Sequence, residues 1–486
     1  MARPLRLLLA AAALLAAAPA ASQQATLQER VEERLAEAGP GARFGMVVAT
    51  EDGRELVAIA PEQRFIPASN TKMFTTAAAF ETIEGLGAPD AAGGAAVRLD
   101  PRPGQAPDVV LEGNGDARLS SAADCVSNCL SALADAVAAK TRVVGDVVGD
   151  DSLFPDQRWS PGMSWNNIPT RSGTAASALS LDDNELRLLV RPGAPGAAPT
   201  LELLPYYEVD NRAVTIAAGP TSLAFDRVPG ERLVRLTGTI AAGAEPELLR
   251  LGIDDPAHYG AWRLKGLLEA RGVRVRGAAL ARHRTARPYD DPAVRGAAPP
   301  PRPPRAEPLA RLTPPPLAED IAAINKVSQN LHAELLLRRV GREAGTGSLA
   351  DGLAAVGAMM ERAGMARHQY DLSDGSGMST YNRLSPRGVV TFLRWAAGRP
   401  WGAAWRASLP VGGVDGTLAR RFRGTPLEGR VFAKTGSLNA TNALSGYVTA
   451  KSGRTLLFSI YANDVPEGQG GTAHIDAALL LVAEAN

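Results

Sequence analysis

Cysteine and histidine are scarce in this chain of 486 residues: two cysteines, Cys125 and Cys129, and five histidines, His258, His283, His332, His368 and His474. The histidines are scattered and form no His-Glu-x-x-His or Cys/His cluster. Two thiols alone do not build a structural zinc site. The pattern argues against a metallopeptidase, and no metal or other cofactor is implied. An excess of one charge is lacking too. Lys and Arg number 52 against 51 Asp and Glu, for a net charge of +1, and no basic stripe stands out, so nucleic acid is not an expected partner. Beyond the N-terminus no run approaches the roughly 20 apolar residues that cross a bilayer, so no transmembrane span is expected in the mature chain. No internal repeat is visible.

What is present fits a globular protein of two or three domains. Hydrophobic residues make up 45% and charged residues 21%, which is ordinary for such a protein. Arg3 and Arg6, the apolar run Leu7 to Ala18 and the small residues Ala18-Pro19-Ala20 and Ala20-Ala21-Ser22 have the layout of a cleavable secretory signal, residues 1–22, with cleavage near Ser22. Its removal takes the net charge from +1 to −1, since it carries two arginines. The four-residue spacing of Cys125 and Cys129 places them one turn apart if the segment is helical. In an exported chain they form a local disulfide or sit as two small buried residues, and the spacing leaves both open.

Periodicity places a helix through Leu27, Val31 and Leu35, then strands at Phe44–Ala49 and Glu55–Ala60 across the turn Glu51-Asp52-Gly53-Arg54. A helix follows from Ser69 to about Glu84, stopped by Gly85 to Pro89. From about 88 to 309 the chain changes to short Val- and Leu-rich runs, such as Asp108 to Gly113 and Leu186 to Val190, separated by Gly/Pro turns. Ala297 to Pro304 is a Pro-rich connector and Pro314-Pro315-Pro316 a second break. Helices return at Leu317–Lys326, Leu331–Val340, Leu349–Ala363 and Pro386–Ala397. The C-terminus reads as two strands and a helix, Val431 to Asn463 and Ile475 to Glu484. One α/β domain built from both ends, 23–87 and 310–486, with a β-rich insertion at 88–309, accounts for this order.

Three short motifs carry chemistry. In Ser69-Asn70-Thr71-Lys72 a helix brings residues i and i+3 to one face, so Lys72 can reach the Ser69 hydroxyl, a poor nucleophile until its proton is removed. Lys72 serves as base only if its pKa falls through burial, a helix N-terminus or a second cation. Taken alone, the spacing also suits a helix cap. Ser328-Gln329-Asn330 precedes an apolar helix; its Ser can relay a proton and its Asn can hold Lys72 and a substrate amide, or the triplet is another cap. Lys434-Thr435-Gly436-Ser437 lies in the strand from Val431. Gly436 lets a substrate backbone approach, while Lys434, Thr435 and Ser437 can bind a peptide carboxylate; the bland alternative is a polar edge strand. The order SxxK, SxN, KTG-Ser is far more specific than any triplet.

In these motifs the sequence resembles the penicillin-binding proteins and serine β-lactamases. Leu372 to Ser379 (LSDGSGMS), Asn382 to Pro386 (NRLSP), Leu409 to Leu418 (LPVGGVDGTL) and Ala433 to Leu438 (AKTGSL) look like the class C low-molecular-mass penicillin-binding proteins, the DacB-type D-Ala-D-Ala carboxypeptidase/endopeptidases. Weaker echoes are Gly149 to Phe154 and Ala176 to Ser180. The resemblance implies an α/β, transpeptidase/β-lactamase-like domain with a large, mostly β insertion forming two smaller domains. It implies that Ser69 attacks the carbonyl of the penultimate D-Ala with Lys72 as general base, that Ser328 and Asn330 assist proton transfer, and that Lys434, Thr435, Gly436 and Ser437 bind substrate. Backbone N–H groups of Ser69 and Ser437 would form the oxyanion hole. Asp150 is a further substrate-binding candidate, facing the amino end of a stem peptide, although a turn residue beside Gly149 is the plainer reading. Asn439, two past Ser437, is another. Thr380 departs from relatives that carry a basic residue after DGSGxS. The implied partners are peptidoglycan stem peptides and β-lactams, and the implied location is the periplasm. The rivals are a serine β-lactamase or esterase, and a peptidoglycan- or β-lactam-binding protein without turnover.

Overall fold

The computed structural model describes residues 25–296, 298–301 and 306–486. The expected secretory signal, residues 1–22, lies outside the described residues, as do positions 297 and 302–304 of the Pro-rich connector.

The two ends of the chain meet in one antiparallel sheet. Its order is Val431–Leu438, Thr441–Thr449, Thr455–Asn463, Arg43–Thr50, Glu55–Ile59. Alternate side chains of a strand point to opposite faces, and here both faces are covered. Val47 and Ala49 pack with Met73, Phe74, Leu336, Phe392 and Trp405 under a layer of helices. Met46 and Val48 pack on the other face with Val31, Leu35, Ile475, Leu479 and Val482, which come from the first and last helices, Leu27–Ala36 and Gly471–Ala485. Each of these side chains contributes about 1.5–3 kcal/mol on full burial. The C-terminal region holds three strands rather than two. The turns at Asn439-Ala440 and Lys451–Gly453 divide it, with Ala440 and Gly453 at φ of 53° and 86°, values that an unbroken strand does not take.

The helices start at side-chain caps legible in the sequence. Thr26 and Glu29 form a reciprocal capping box, Ser348 caps Leu349–Arg362, and Ser385 caps Pro386–Ala397 with proline in the first turn. The Ser69 segment is less regular than expected: a 3-10 turn, Ala68–Thr71, leads into the α-helix Lys72–Thr82.

Between these parts lies the strand-rich region. Its sheets fall into two groups. One is a five-stranded sheet ordered Ala279–Arg282, Val147–Asp150, Asp108–Glu112, Ala96–Asp100, Ala310–Arg311, with the helices Leu130–Lys140 and Pro256–Ala270 against it. Because Ala310-Arg311 pairs with Ala96-Val97, this sheet runs past position 309. The other group comprises the sheet around Leu233–Ala241 and the three strands Glu247–Gly252, Glu185–Arg191 and Thr200–Glu202. Apolar side chains of both groups, among them Val109, Leu111, Leu186, Leu236 and Leu264, run together in one cluster. Cys125 and Cys129 are joined in a disulfide with Cα atoms 5.8 Å apart, in the loop just before Leu130–Lys140 rather than within a helix.

The helix Asn330–Ala344 is the seam between the two parts. Its apolar side packs into the helical layer through Ala333, Leu336, Leu337 and Val340. Its polar side meets the inserted region: Arg338 donates to the Gln157 carbonyl at 2.7 Å, Arg339 pairs with Asp90 at 2.9 Å, and His332 Nε2 lies 2.8 Å from Asp183 Oδ1. His332 Nδ1 also faces Asp320 at 3.4 Å, a charge contact without hydrogen-bond alignment. Burial opposes its protonation, but Asp183 and Asp320 outweigh that and raise it to about 9.

A folded pKa above the unfolded value of about 6.5 stabilises fully below 6.5 and loses that stabilisation as pH rises through about 9. The stability difference between the protein and a His332→Gln variant should therefore be largest in mild acid, up to about 3 kcal/mol, and shrink toward pH 9. Chemical denaturation of both proteins across this range is the check; a pH-independent difference would rule out the ion-pair account.

Candidate active site

The SxxK segment is held from three sides. Asn70 donates its side-chain amide to the Lys434 carbonyl at 2.8 Å, which ties the Ser69 turn to the strand Val431–Leu438. A Cβ on Gly436 would stand 2.4 Å from the Pro67 carbonyl, so only glycine lets that strand lie so close. Gly377, at φ 86°, backs onto the same turn: a Cβ there would meet the Ala68 carbonyl at 1.9 Å. Ser69 itself stays half-buried, accessible from the cleft, while Lys72 is fully buried.

Lys72 Nζ lies 2.9 Å from Ser69 Oγ and 2.7 Å from Asn330 Oδ1, and it donates to the Ser376 carbonyl. Burial is the main influence on this amine and lowers it from 10.5 to about 7, against the opposing pull of Asp374 and Glu334. Lys434, also fully buried, lies 2.9 Å from Ser328 Oγ and 3.0 Å from the Thr435 carbonyl. Its pKa is pushed well below the ordinary value by burial and then by Lys72. Ser328 sits at φ 62°, a conformation costly for a non-glycine residue and one that clusters at functional sites. Here it turns the hydroxyl toward Lys434.

The strand Val431–Leu438 is the edge of its sheet. Thr435 bonds Thr417 Oγ1 at 2.8 Å, and Ser437 is exposed beside Asn442. An unpaired edge that carries Thr435, Gly436 and Ser437 offers backbone groups to an extended peptide, next to Ser69. Ser69, Lys72, Ser328, Asn330 and Lys434 are thus drawn from a helical turn, a helix N-terminus and a strand into one cluster, with Thr435, Gly436 and Ser437 beside it.

Two other candidates lie elsewhere. Asn439 is exposed in the turn past Leu438. Asp150 ends the strand Val147–Asp150 in the inserted region, pairs with Arg282 at 3.2 Å and accepts from Ser152 N–H. It lines a cavity of 690 Å³ with Arg98, Glu112, Arg282 and Arg284, a lining that includes none of the clustered residues.

Sequence reasoning missed several contributors to the site. Asn330 Nδ2 donates to the Ser172 carbonyl at 2.9 Å, so the inserted region builds part of the wall. Ser160, Met163 and Gly173 line the same small hollow with Asn330 and Met378. The Ser376 carbonyl is a direct acceptor for Lys72. The half-buried Glu334 and the buried Asp374 place carboxyl groups close to that amine. Glu334 lies four residues after Asn330 and so on its helix face, the one sequence signal that pointed to it. Asp374 belongs to the DGSG segment noted above only for its resemblance. Thr380 donates its backbone N–H to the Gly162 carbonyl at 2.9 Å, joining this segment to the inserted loop.

The family model described as D-Ala-D-Ala carboxypeptidase 3 (S13) family matches residues 27–484. A D-alanyl-D-alanine carboxypeptidase of Actinomadura sp. strain R39 is 36% identical over 465 residues, 91% of this chain and 82% of that protein. The crystal structure of penicillin binding protein 4 (dacB) from Haemophilus influenzae superposes with a TM-score of 0.77 at 20% identity, covering 92% of this chain and 98% of that one. The same protein complexed with a β-lactam superposes at 0.69 and 21%, with the same coverage. On the family match and the Actinomadura relative together, the chain belongs to the D-Ala-D-Ala carboxypeptidase 3 (S13) family.

Proposed function

We propose that the protein is a serine hydrolase that cleaves D-Ala-containing peptide bonds of peptidoglycan stem peptides, as a D-Ala-D-Ala carboxypeptidase, an endopeptidase or both, through an acyl-enzyme at Ser69. The observation that carries this reading is the Lys72 amine: 2.9 Å from Ser69 Oγ, fully buried and lowered to about 7. A neutral amine at that distance takes the hydroxyl proton as the oxygen attacks the penultimate D-Ala carbonyl. Asn330 orients the amine. Ser328, bonded to Lys434, relays the proton that Lys72 took from Ser69 to the leaving amine, which departs as free D-Ala or as the side chain of a neighbouring stem. Backbone N–H groups of Ser69 and Ser437 stabilise the oxyanion, and Lys434, Thr435 and Gly436 hold the substrate along the strand edge. Water then releases the acyl group. β-Lactams mimic the D-Ala-D-Ala end and acylate Ser69 stably.

Asn439 and Asp150 contact substrate only if it extends past the strand edge or into the inserted region. Periplasmic location rests on the N-terminal segment and on the substrate; among the described residues no helix is long and apolar enough to cross a membrane. The β-lactamase reading draws little support from Glu334 and Asp374, which are committed to backbone N–H groups.

Incubating the mature protein and its Ser69→Ala variant with pentapeptide muropeptides and with cross-linked dimers, and identifying products by mass spectrometry, tests the assignment. The parent should release D-Ala or split dimers, and the variant should do neither. A parent that binds both substrates and leaves them intact is a binding protein instead.

The base needs its neutral form, whose fraction grows as pH rises through its pKa. The acylation rate with benzylpenicillin should therefore climb with pH and reach half its plateau near pH 7. A rate that keeps rising tenfold per pH unit to the ordinary lysine range, about 10.4, would show that Lys72 is not the lowered base.

A further inference from the structure

Beyond the motif residues, the carboxylate of Glu334 occupies a place that burial alone does not explain. Glu334 lies on the helix Asn330–Ala344, one turn after Asn330. Its Oε1 accepts two consecutive backbone N–H groups, Gly375 at 3.0 Å and Ser376 at 2.9 Å. Its Oε2 accepts from Arg338 at 2.9 Å and from Ser160 at 3.4 Å. The Ser376 residue it grips by the N–H presents its carbonyl to Lys72. On the other side, Thr75, in the helix that begins with Lys72, donates to the Gly375 carbonyl at 2.8 Å. The segment is thus clamped between Glu334 and the Lys72 helix. Asp374, next to it, is itself 1% exposed and accepts from Gly377 N–H, Ser379 N–H and the Asn382 amide.

We propose that Glu334 is a positioning residue for the acylation step: it fixes the Ser376 carbonyl against the Lys72 amine, and its charge, together with that of Asp374, sets the balance between the ammonium and the neutral base. This rests on the reading of Lys72 as base and adds to it. The groups facing Lys72 are Lys434 from the edge strand, Glu334 from the helix and Asp374 from the DGSG segment. Glu334 is faced by Asp374 and by Arg338, and the nearby Arg158 is tied to Asp156 and Asp255. Of these, Asp374 is raised to about 6 by burial and then by Glu334. As pH falls through that value Asp374 takes up a proton and withdraws its support for the ammonium. Lys72 then stays neutral further into acid than it would beside two fixed negative charges.

The experiment measures the acylation rate of Ser69 by a fluorescent penicillin from about pH 5 to about pH 9 for the parent, Glu334→Gln, Glu334→Ala and Arg338→Met, with thermal melting of each. Glutamine keeps the Oε1 acceptor and loses the charge. Its plateau should stay within about threefold of the parent, and its acid limb should move to lower pH by about half a unit to one unit. Arg338→Met leaves the Glu334 charge without its cation, so its limb should move the other way. Alanine loses the grip on Ser376, and its plateau should drop at least about tenfold. A residue that merely supports the fold would shift melting and plateau without moving the limbs in opposite directions. Superimposable limbs, or shifts of one sign in Glu334→Gln and Arg338→Met, overturn the proposal, and if Glu334→Gln does not fold, an unmoved limb in Arg338→Met does so alone. A parent that is not labelled at Ser69 would refute the hydrolase reading instead, so the two failures are distinguishable.

Discussion

The removal of one ammonium group from water governs the architecture around the cleft. Lowering Lys72 from 10.5 to about 7 means that the fold disfavours its charged form by on the order of 5 kcal/mol. That is comparable to the net stability of many domains. Walls for such a site must be rigid, dry and rich in acceptors that do not restore the charge outright. Carbonyl and amide oxygens, those of Ser376 and Asn330, meet that demand, because each accepts a hydrogen bond without carrying a full negative charge.

A second buried lysine follows the same logic. Lys434 is pushed well below its ordinary value by burial and then by the charge of Lys72. The two amines have separate hydroxyl partners, Ser69 and Ser328. Two titrating groups linked by repulsion lose protons as a pair. The strained φ of Ser328 places its hydroxyl on the Lys434 side of that pair.

How much of this was legible in the sequence depended on how local the relation was. The Ser69–Lys72 contact follows from helical spacing, and it survives even though the first turn is 3-10 rather than α. The edge strand from Val431 was readable because Gly436 and the polar residues around it mark a close approach. Helix starts at Ser348 and Ser385 were readable from cap chemistry. The three-strand ending was not, because the first of its two turns, Asn439-Ala440, holds no glycine or proline to mark it. The Cys125–Cys129 disulfide stayed open because spacing in a helix and spacing in a loop look alike in sequence. Asp150, an acidic residue in a matching segment, lines an arginine-rich cavity of the inserted region, a placement its own segment does not specify. Contacts such as Asn330 to Ser172 or Lys72 to Ser376 join segments far apart in the chain, and no period or motif in one segment specifies its partner in another.

The helix Asn330–Ala344 concentrates that lesson. By periodicity it is an ordinary amphipathic helix, with leucines inward and charges outward. Its outward face is nevertheless covered. Asn330 meets Ser172, His332 meets Asp183, Glu334 meets Ser160 and Arg338 meets Gln157, all four partners in the inserted region. That polar face is here a charged, hydrogen-bonded seam, and Asn330 sits at its first residue. Removal of the inserted region would therefore expose more than surface. It would strip the partners that hold the helix end carrying Asn330, and with it one of the three acceptors around Lys72. A large insertion between the first two motifs is thus tied to the chemistry through the single element on which the second motif sits.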